Sequence, residues 1–227
     1  MGIRHYLYIS DAKINAWLPQ VPEAEKRTIT AELGFNLVVL KGKIGTQRDA
    51  KTPPANRISK CQVLERFILS KEKVGFPNSG KTWISGTVQA RVFSTRYSAV
   101  LFVSRMSAET VVLTGSSRHL IGASETVDVA KYLPSFGPHV VEMLGDMAEK
   151  KVASRAAPEA IEWAVESTVA RAQDPAWVRT LRSIELATRQ PLQRVAFLAR
   201  RLLPPYESAQ GRRYEVYSPL FVESADE

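Results

Sequence analysis

Apolar and polar positions change their period along the chain, and each change marks an element. Tyr6-Leu7-Tyr8-Ile9 is a short aromatic and β-branched run that predicts a strand, and Ser10-Asp11 after it can cap a helix stopped by Pro19. A second helix is predicted with Pro22 at its start, Glu23 and Glu25 in the first turn against the helix dipole, and Gly34 as its stop. Phe35 to Leu40 reads as a strand, Gly42 to Ala55 as a loop, and Arg57 to about Lys73 as a helix. From Lys81 the period falls to two: Ile84, Val88, Ala90 and Val92 alternate with Ser85, Thr87, Gln89 and Arg91, the pattern of a half-buried strand. Val100 to Val103 and Thr110 to Leu113 supply two more strands, and the short connections suit an antiparallel meander.

Beyond Pro134 the spacing turns helical. Val140, Val141, Met143 and Leu144 form one apolar stripe, and Ile161, Ala164, Val165, Thr168 and Val169 form another after Pro158. Leu192, Val195, Ala196, Ala199, Leu202 and Leu203 read as a third, with Arg194 and Arg201 opposite and Pro204-Pro205 as its end. Trp163 and Trp177 are expected to pack in the core. Tyr214 to Val222 returns to strand character, and Pro219 places that strand at a sheet edge or a bulge. The expectation is one α+β domain over 1–227: sheet-rich over 1–123, helical over 124–205, with a returning strand at 213–223. In this arrangement a mainly antiparallel sheet, built from the N-terminal half and the C-terminal strand, packs against a helical C-terminal half.

The 227 residues are 44% hydrophobic and 24% charged, which excludes disorder throughout. No run approaches the ~18 apolar residues of a membrane helix, and the opening Met1 to Tyr6 lacks a signal-peptide pattern. A cytoplasmic protein without a membrane partner is expected. Cys61 stands alone, and His5 and His139 have no companions at metal-ligand spacing, so neither a metal nor a cofactor is expected. The net charge is +8, but it is uneven: residues 1–100 hold 16 Lys/Arg against 7 Asp/Glu, while residues 101–227 hold 15 against 16. Lys41, Lys43, Arg48 and Lys51 head a basic stretch that also includes Arg57, Lys60, Arg66, Lys71 and Lys73. Such a face attracts phosphate backbones, or is simply a solvated surface; no aromatic residues interleave it as a single-strand stacking platform requires.

Three segments carry candidate chemistry. Gly75-Phe76-Pro77-Asn78-Ser79-Gly80-Lys81-Thr82 matches the phosphate-loop pattern G-x-x-x-x-G-K-[ST], but a helix is predicted before it and a strand after it, the reverse of what a phosphate loop needs. A turn is therefore expected there. Gly115-Ser116-Ser117-Arg118-His119-Leu120-Ile121-Gly122 follows a strand and gathers two hydroxyls, a guanidinium and an imidazole. Such a loop can hold an anion, with Arg118 as a bidentate clamp, or can cap its own backbone in a tight corner. A nucleophilic serine beside His119 is the third reading, although the G-x-S-x-G elbow is missing. Ser10, Asp11 and Lys13 would sit at the end of the first strand, where open sheets often bind ligands; a simple helix cap is the alternative.

The segments Tyr6-Leu7-Tyr8-Ile9-Ser10-Asp11-Ala12-Lys13, Gly115 to Gly122 and Tyr217-Ser218-Pro219-Leu220-Phe221-Val222 together resemble an uncharacterised bacterial family common in actinobacteria. Its pattern is a Y-L-Y-I-S-D-x-K opening, a G-S-x-x-H-L-I-G segment and a closing S-P-L-Y-V strand. Phe221 stands here where the family pattern has Tyr, and the Gly75 to Thr82 segment lies outside the shared pattern. The resemblance spans most of the chain and implies a domain of unknown function, with a place in bacterial signalling or defence loci.

The leading expectation is a non-enzymatic sensor or partner-binding protein with no catalytic residue. Ser10, Asp11, Lys13, Ser116, Ser117, Arg118 and His119 would line a polar pocket for an anionic small molecule, and a protein partner is the other class of occupant. The alternative is a nucleic-acid-associated protein using Lys41, Lys43, Arg48 and Lys51, and behind it a hydrolase around Ser116 and His119.

Overall fold

The computed structural model of the chain describes residues 4–34, 54–95, 98–122, 136–149, 174–187 and 191–225. Among the described residues the strands are β1 (His5–Ile9), β2 (Trp83–Ser94), β3 (Ala99–Arg105), β4 (Glu109–Ser116), β5 (Gln193–Arg201), β6 (Tyr206–Glu207) and β7 (Arg213–Ser224). The α-helices are α1 (Asp11–Trp17), α2 (Glu23–Glu32), α3 (Pro54–Lys71), α4 (Gly137–Glu149) and α5 (Ala176–Ala187). The predicted strand Phe35 to Leu40 and the predicted helix after Pro158, with Trp163, lie outside the described residues.

The sheet closes on itself. β7 pairs with β4, β4 with β3, β3 with β2, β2 with β5, and β5 again with β7, so five strands form a small barrel. All of these ladders are antiparallel except β4–β7. β1 and β6 attach to β7 outside the ring. Closure removes exposed strand edges and gives each strand an inner and an outer face. Ile84, Val88, Val100, Phe102, Val111, Leu113, Val195, Phe197, Tyr217 and Val222 meet in the barrel, joined by Tyr8. On the outside, Leu101, Val103, Val112, Tyr214 and Val216 pack against Val140, Met143 and Leu144 of α4 and Trp177, Val178 and Leu181 of α5. A second outer core joins Ile9, Leu198, Leu220 and Phe221 to Ile14 of α1 and Cys61, Leu64 and Ile68 of α3. Cys61 is fully buried, and burial pushes its thiol pKa up, so it serves as packing.

The chain is thus a mixed α and β structure in which the C-terminal strand rejoins the sheet, while helices cover it from both halves. The segment Leu192 to Leu203 corrects the expected helical stretch: Gln193–Arg201 is strand β5, and Pro204-Pro205 ends no helix. The reason is that the middle of β5 is covered on both faces, with Val195, Phe197 and Ala199 inside the barrel and Leu198 against the helices, while Arg194 and Arg200 at its ends are exposed. A strand buried on both faces loses its alternation, and its apolar run then fits a helical stripe equally well. Pro219 sits at a bulge rather than an edge: the β5–β7 register steps from Leu198↔Phe221 to Ala199↔Pro219. The Gly75 to Thr82 segment is the expected turn, not a phosphate loop. Gly75 N–H donates to the Trp83 carbonyl (2.9 Å), Asn78 and Gly80 take positive φ values of 68° and 73°, and β2 follows directly.

Candidate functional site at the junction of β1 and β4

Two chain segments meet where β1 and β4 end. After β1, Ser10 adopts extended backbone (φ −81°, ψ 94°), and its Oγ accepts from the Lys13 N–H at 3.4 Å, which starts α1 with Asp11 in the first turn. After β4, Ser117–His119 forms one turn of 3₁₀ helix. Ser117 N–H donates to the Ser98 carbonyl at 2.8 Å, and Ile121 N–H donates to the Leu7 carbonyl at 2.9 Å, so the turn is tied to both β1 and the residue that precedes β3.

Asp11 is the hinge pin between the segments. Its Oδ2 lies 3.3 Å from His119 Nδ1, and its Oδ1 lies 2.8 Å from Arg57 Nε of α3. Arg57 also donates through Nη2 to the carbonyls of Ile9 and His119, the latter at 2.9 Å. The three elements β1–α1, α3 and the 3₁₀ turn are therefore stitched at one point by charged groups. His119 is 6% exposed, and its ring stands edge-on to Tyr8 with centroids 5.9 Å apart. Burial lowers its pKa, partly offset by Asp11, so the imidazole is neutral near pH 7. Neutral and held through Nδ1 by a carboxylate, it keeps its Nε2 lone pair.

Tyr8 projects into the barrel and passes directly over Gly115, where a Cβ would lie 2.2 Å from the Tyr8 hydroxyl oxygen. That hydroxyl is buried close to Ser10, yet completes no hydrogen bond of ordinary geometry. Arg118 stands differently. Its side chain is exposed and makes no hydrogen bond or ion pair among the described residues, yet its charge bears on both Tyr8 and His119.

Lys13 turns the other way, toward the bulge of β7. Its Nζ donates to the Pro219 carbonyl at 2.9 Å and lies 3.4 Å from Ser10 Oγ. The lysine thus supplies a donor to a carbonyl at the bulge. No carboxylate among the described residues neutralises this ammonium, and burial pushes its pKa down from 10.5 to about 7. Between those two values the unfolded chain carries a proton on Lys13 that the folded chain lacks, so folding stability is expected to rise with pH across that window. Urea midpoints measured through the window should climb in the wild type and climb less in Lys13→Met; equal slopes would contradict the assignment.

Of the residues singled out from the sequence, Asp11 and His119 meet directly, Ser10 and Lys13 meet at the neighbouring bulge, and Ser116, Ser117 and Arg118 belong to the adjoining turn. Ser116 is buried, and no hydrogen bond joins His119 to Ser116 or Ser117 among the described residues, so the pairing a serine hydrolase needs is not formed. Lys41, Lys43, Arg48 and Lys51 lie outside the described residues. Arg57, counted at first only as one member of the basic stretch, is the cation that completes the junction. Its signal in the sequence was a position near the start of a helix that must cover β1.

A second polar cluster lies at the other end of β4 and escaped sequence reading altogether. Glu215 of β7 is fully buried. It accepts from Tyr217 Oη, from the Asn78 N–H at 3.1 Å and from Arg213 Nη2 at 2.7 Å, with Arg201 Nη2 3.9 Å away. Burial alone would raise its pKa, but these donors outweigh it and hold the carboxyl below its usual range. Arg201 also donates to the Gly80 carbonyl at 3.2 Å, so the Gly75 to Thr82 turn is pinned over this end of the barrel. Neighbouring Glu109 has its pKa raised by burial and by Glu215.

No group of three or more His, Cys, Asp or Glu is placed to hold a metal ion among the described residues. No described helix is long and apolar enough to cross a membrane. A model of one protein family matches residues 4–226. The chain belongs to the DUF7019 family of unknown function. The match takes in β1, the 3₁₀ turn and β7, so the junction described above lies wholly within the family's span. No curated protein and no solved structure matches the chain.

Proposed function

We propose that this chain is a non-enzymatic sensor or partner-binding protein that takes an anionic small molecule at the junction of β1, α3 and the Ser117–His119 turn. One observation carries the reading: an exposed arginine with no ion pair among the described residues, Arg118, stands beside a fixed group of Arg57, His119 and Asp11. A guanidinium with no partner among the described residues, beside a junction whose own charges are already paired, suits a carboxylate or phosphate, which it can grip in bidentate fashion. In a bacterial signalling or defence system such a protein would report the ligand by tightening the contact between β1 and the turn.

Calorimetric titration with inorganic phosphate, alongside native mass spectrometry for a co-purified ligand, tests the reading. Loss of one charge-assisted contact in Arg118→Ala is expected to weaken phosphate binding by about tenfold. The reading fails if the wild type binds no phosphate and carries no ligand, or if Arg118→Ala binds as the wild type does.

A further inference from the structure

The geometry points to His119 as a phosphoryl-accepting residue, a modification site at which the Nε2 atom takes the phosphoryl group of a small acyl-phosphate or phosphoramidate donor. This inference rests on the anion-binding reading and names both the ligand class and the atom that would react with it.

The argument starts from the imidazole. A histidine becomes a nucleophile when one ring nitrogen holds the proton and the other keeps a free lone pair. Asp11 Oδ2, 3.3 Å from Nδ1, selects the tautomer with the proton on Nδ1. Nε2 has no hydrogen-bond partner among the described residues. The carboxylate is itself fixed by Arg57 Nε at 2.8 Å, and Arg57 also grips the carbonyl of His119 at 2.9 Å, so ring and backbone are both held. Packing edge-on against Tyr8, which is fully buried, restricts the remaining rotation of the ring.

The incoming group needs positive charge around it. Arg118, adjacent in sequence and without an ion pair among the described residues, can meet the equatorial phosphoryl oxygens, where charge is spread in the transition state. In the step itself, the Nε2 lone pair forms the N–P bond while the bond from phosphorus to the donor oxygen or nitrogen breaks. An acyl-phosphate donor leaves as a carboxylate with the electron pair; a phosphoramidate donor leaves as ammonia after taking a proton from solvent. The ring becomes an imidazolium still bearing its Nδ1 proton, and Asp11 compensates that positive charge. Later attack by water on phosphorus would release inorganic phosphate and restore the neutral ring, so the modification is reversible.

The test incubates the full chain with acetyl phosphate and, separately, with potassium phosphoramidate, and reads intact mass under neutral conditions. The wild type is expected to gain the mass of one phosphoryl group, to lose it on mild acid treatment as an N–P bond does, and to carry it on the peptide containing His119. His119→Gln should gain nothing. Asp11→Asn, in which the tautomer is no longer imposed, should react at least tenfold more slowly. Arg118→Ala, a change at an exposed side chain that leaves the fold intact, should also slow the reaction while His119 remains present. Acid-stable label, label on another residue, or undiminished label in His119→Gln overturns the inference. A wild type that binds phosphate by calorimetry yet gains no mass overturns the inference and leaves the anion-binding reading standing; a wild type that does neither overturns both.

Discussion

Replacing Glu215 by alanine is expected to lower the stability of the chain by about 3 kcal/mol, a fall in Tm of roughly 6–12 °C for a protein of this size. The carboxylate is fully buried and satisfies Tyr217, the Asn78 N–H and Arg213 at once, so its removal strands all three. The figure is kept at the low end of the range for a broken buried ion pair because Arg213 is 38% exposed and regains water when its partner is lost. Glu215→Gln keeps an acceptor for Asn78 and Tyr217 and loses only the charge toward Arg213 and Arg201, so it should cost less than the alanine variant. Urea unfolding of both variants checks the order. An alanine variant as stable as the wild type would mean that the network does not hold this end of the barrel.

Gly115→Ala is the second large effect. The added methyl would stand 2.2 Å from the hydroxyl oxygen of Tyr8, 2.6 Å from Cζ and 2.9 Å from Cε2, and Tyr8 is fully buried in the barrel core. Overpacking of this kind costs about 1–3 kcal/mol. Because Tyr8 also packs edge-on against His119, the displacement passes to the junction, and phosphate binding should weaken together with stability. Adding Tyr8→Phe to Gly115→Ala removes the closest contact and leaves Cζ in place, so it should rescue only part of the loss. Full retention of stability and phosphate binding in Gly115→Ala would contradict the close packing of Tyr8 over β4.

What the sequence made legible follows from which faces are wet. β2, with polar residues on its outer face, announced itself by alternation, and α1 and α2 by their capping residues and prolines. Ser10 and Asp11 were readable as a helix start, because a hydroxyl and a carboxylate directly after a strand cap helices, as they do for α1, whereas the contact of Asp11 with His119, 108 residues away, has no local signature. β5 was not readable, because Ala196 and Leu198 on its outer face are apolar like Val195, Phe197 and Ala199 on the inner one, and the exposed Arg194 and Arg200 mark only its ends. Barrel closure was equally hidden: it depends on β7 pairing with both β4 and β5, a long-range match that no local pattern encodes. Glu215 was missed for a related reason. Alternation in Tyr214-Glu215-Val216-Tyr217 assigns the tyrosine at 214 and the valine to the core and the carboxylate to water, yet here the outer face packs on α4 and α5 while the inner face receives the charge.

The central claim is that the two segments stitched by Asp11 form an anion-binding junction. Amide chemical-shift mapping during a titration with inorganic phosphate at constant ionic strength tests it most directly. The account predicts saturable shifts concentrated at Ser10, Asp11, Arg118 and His119, and their loss in Arg118→Ala. An absence of saturable shifts, or shifts centred away from this junction, would contradict it.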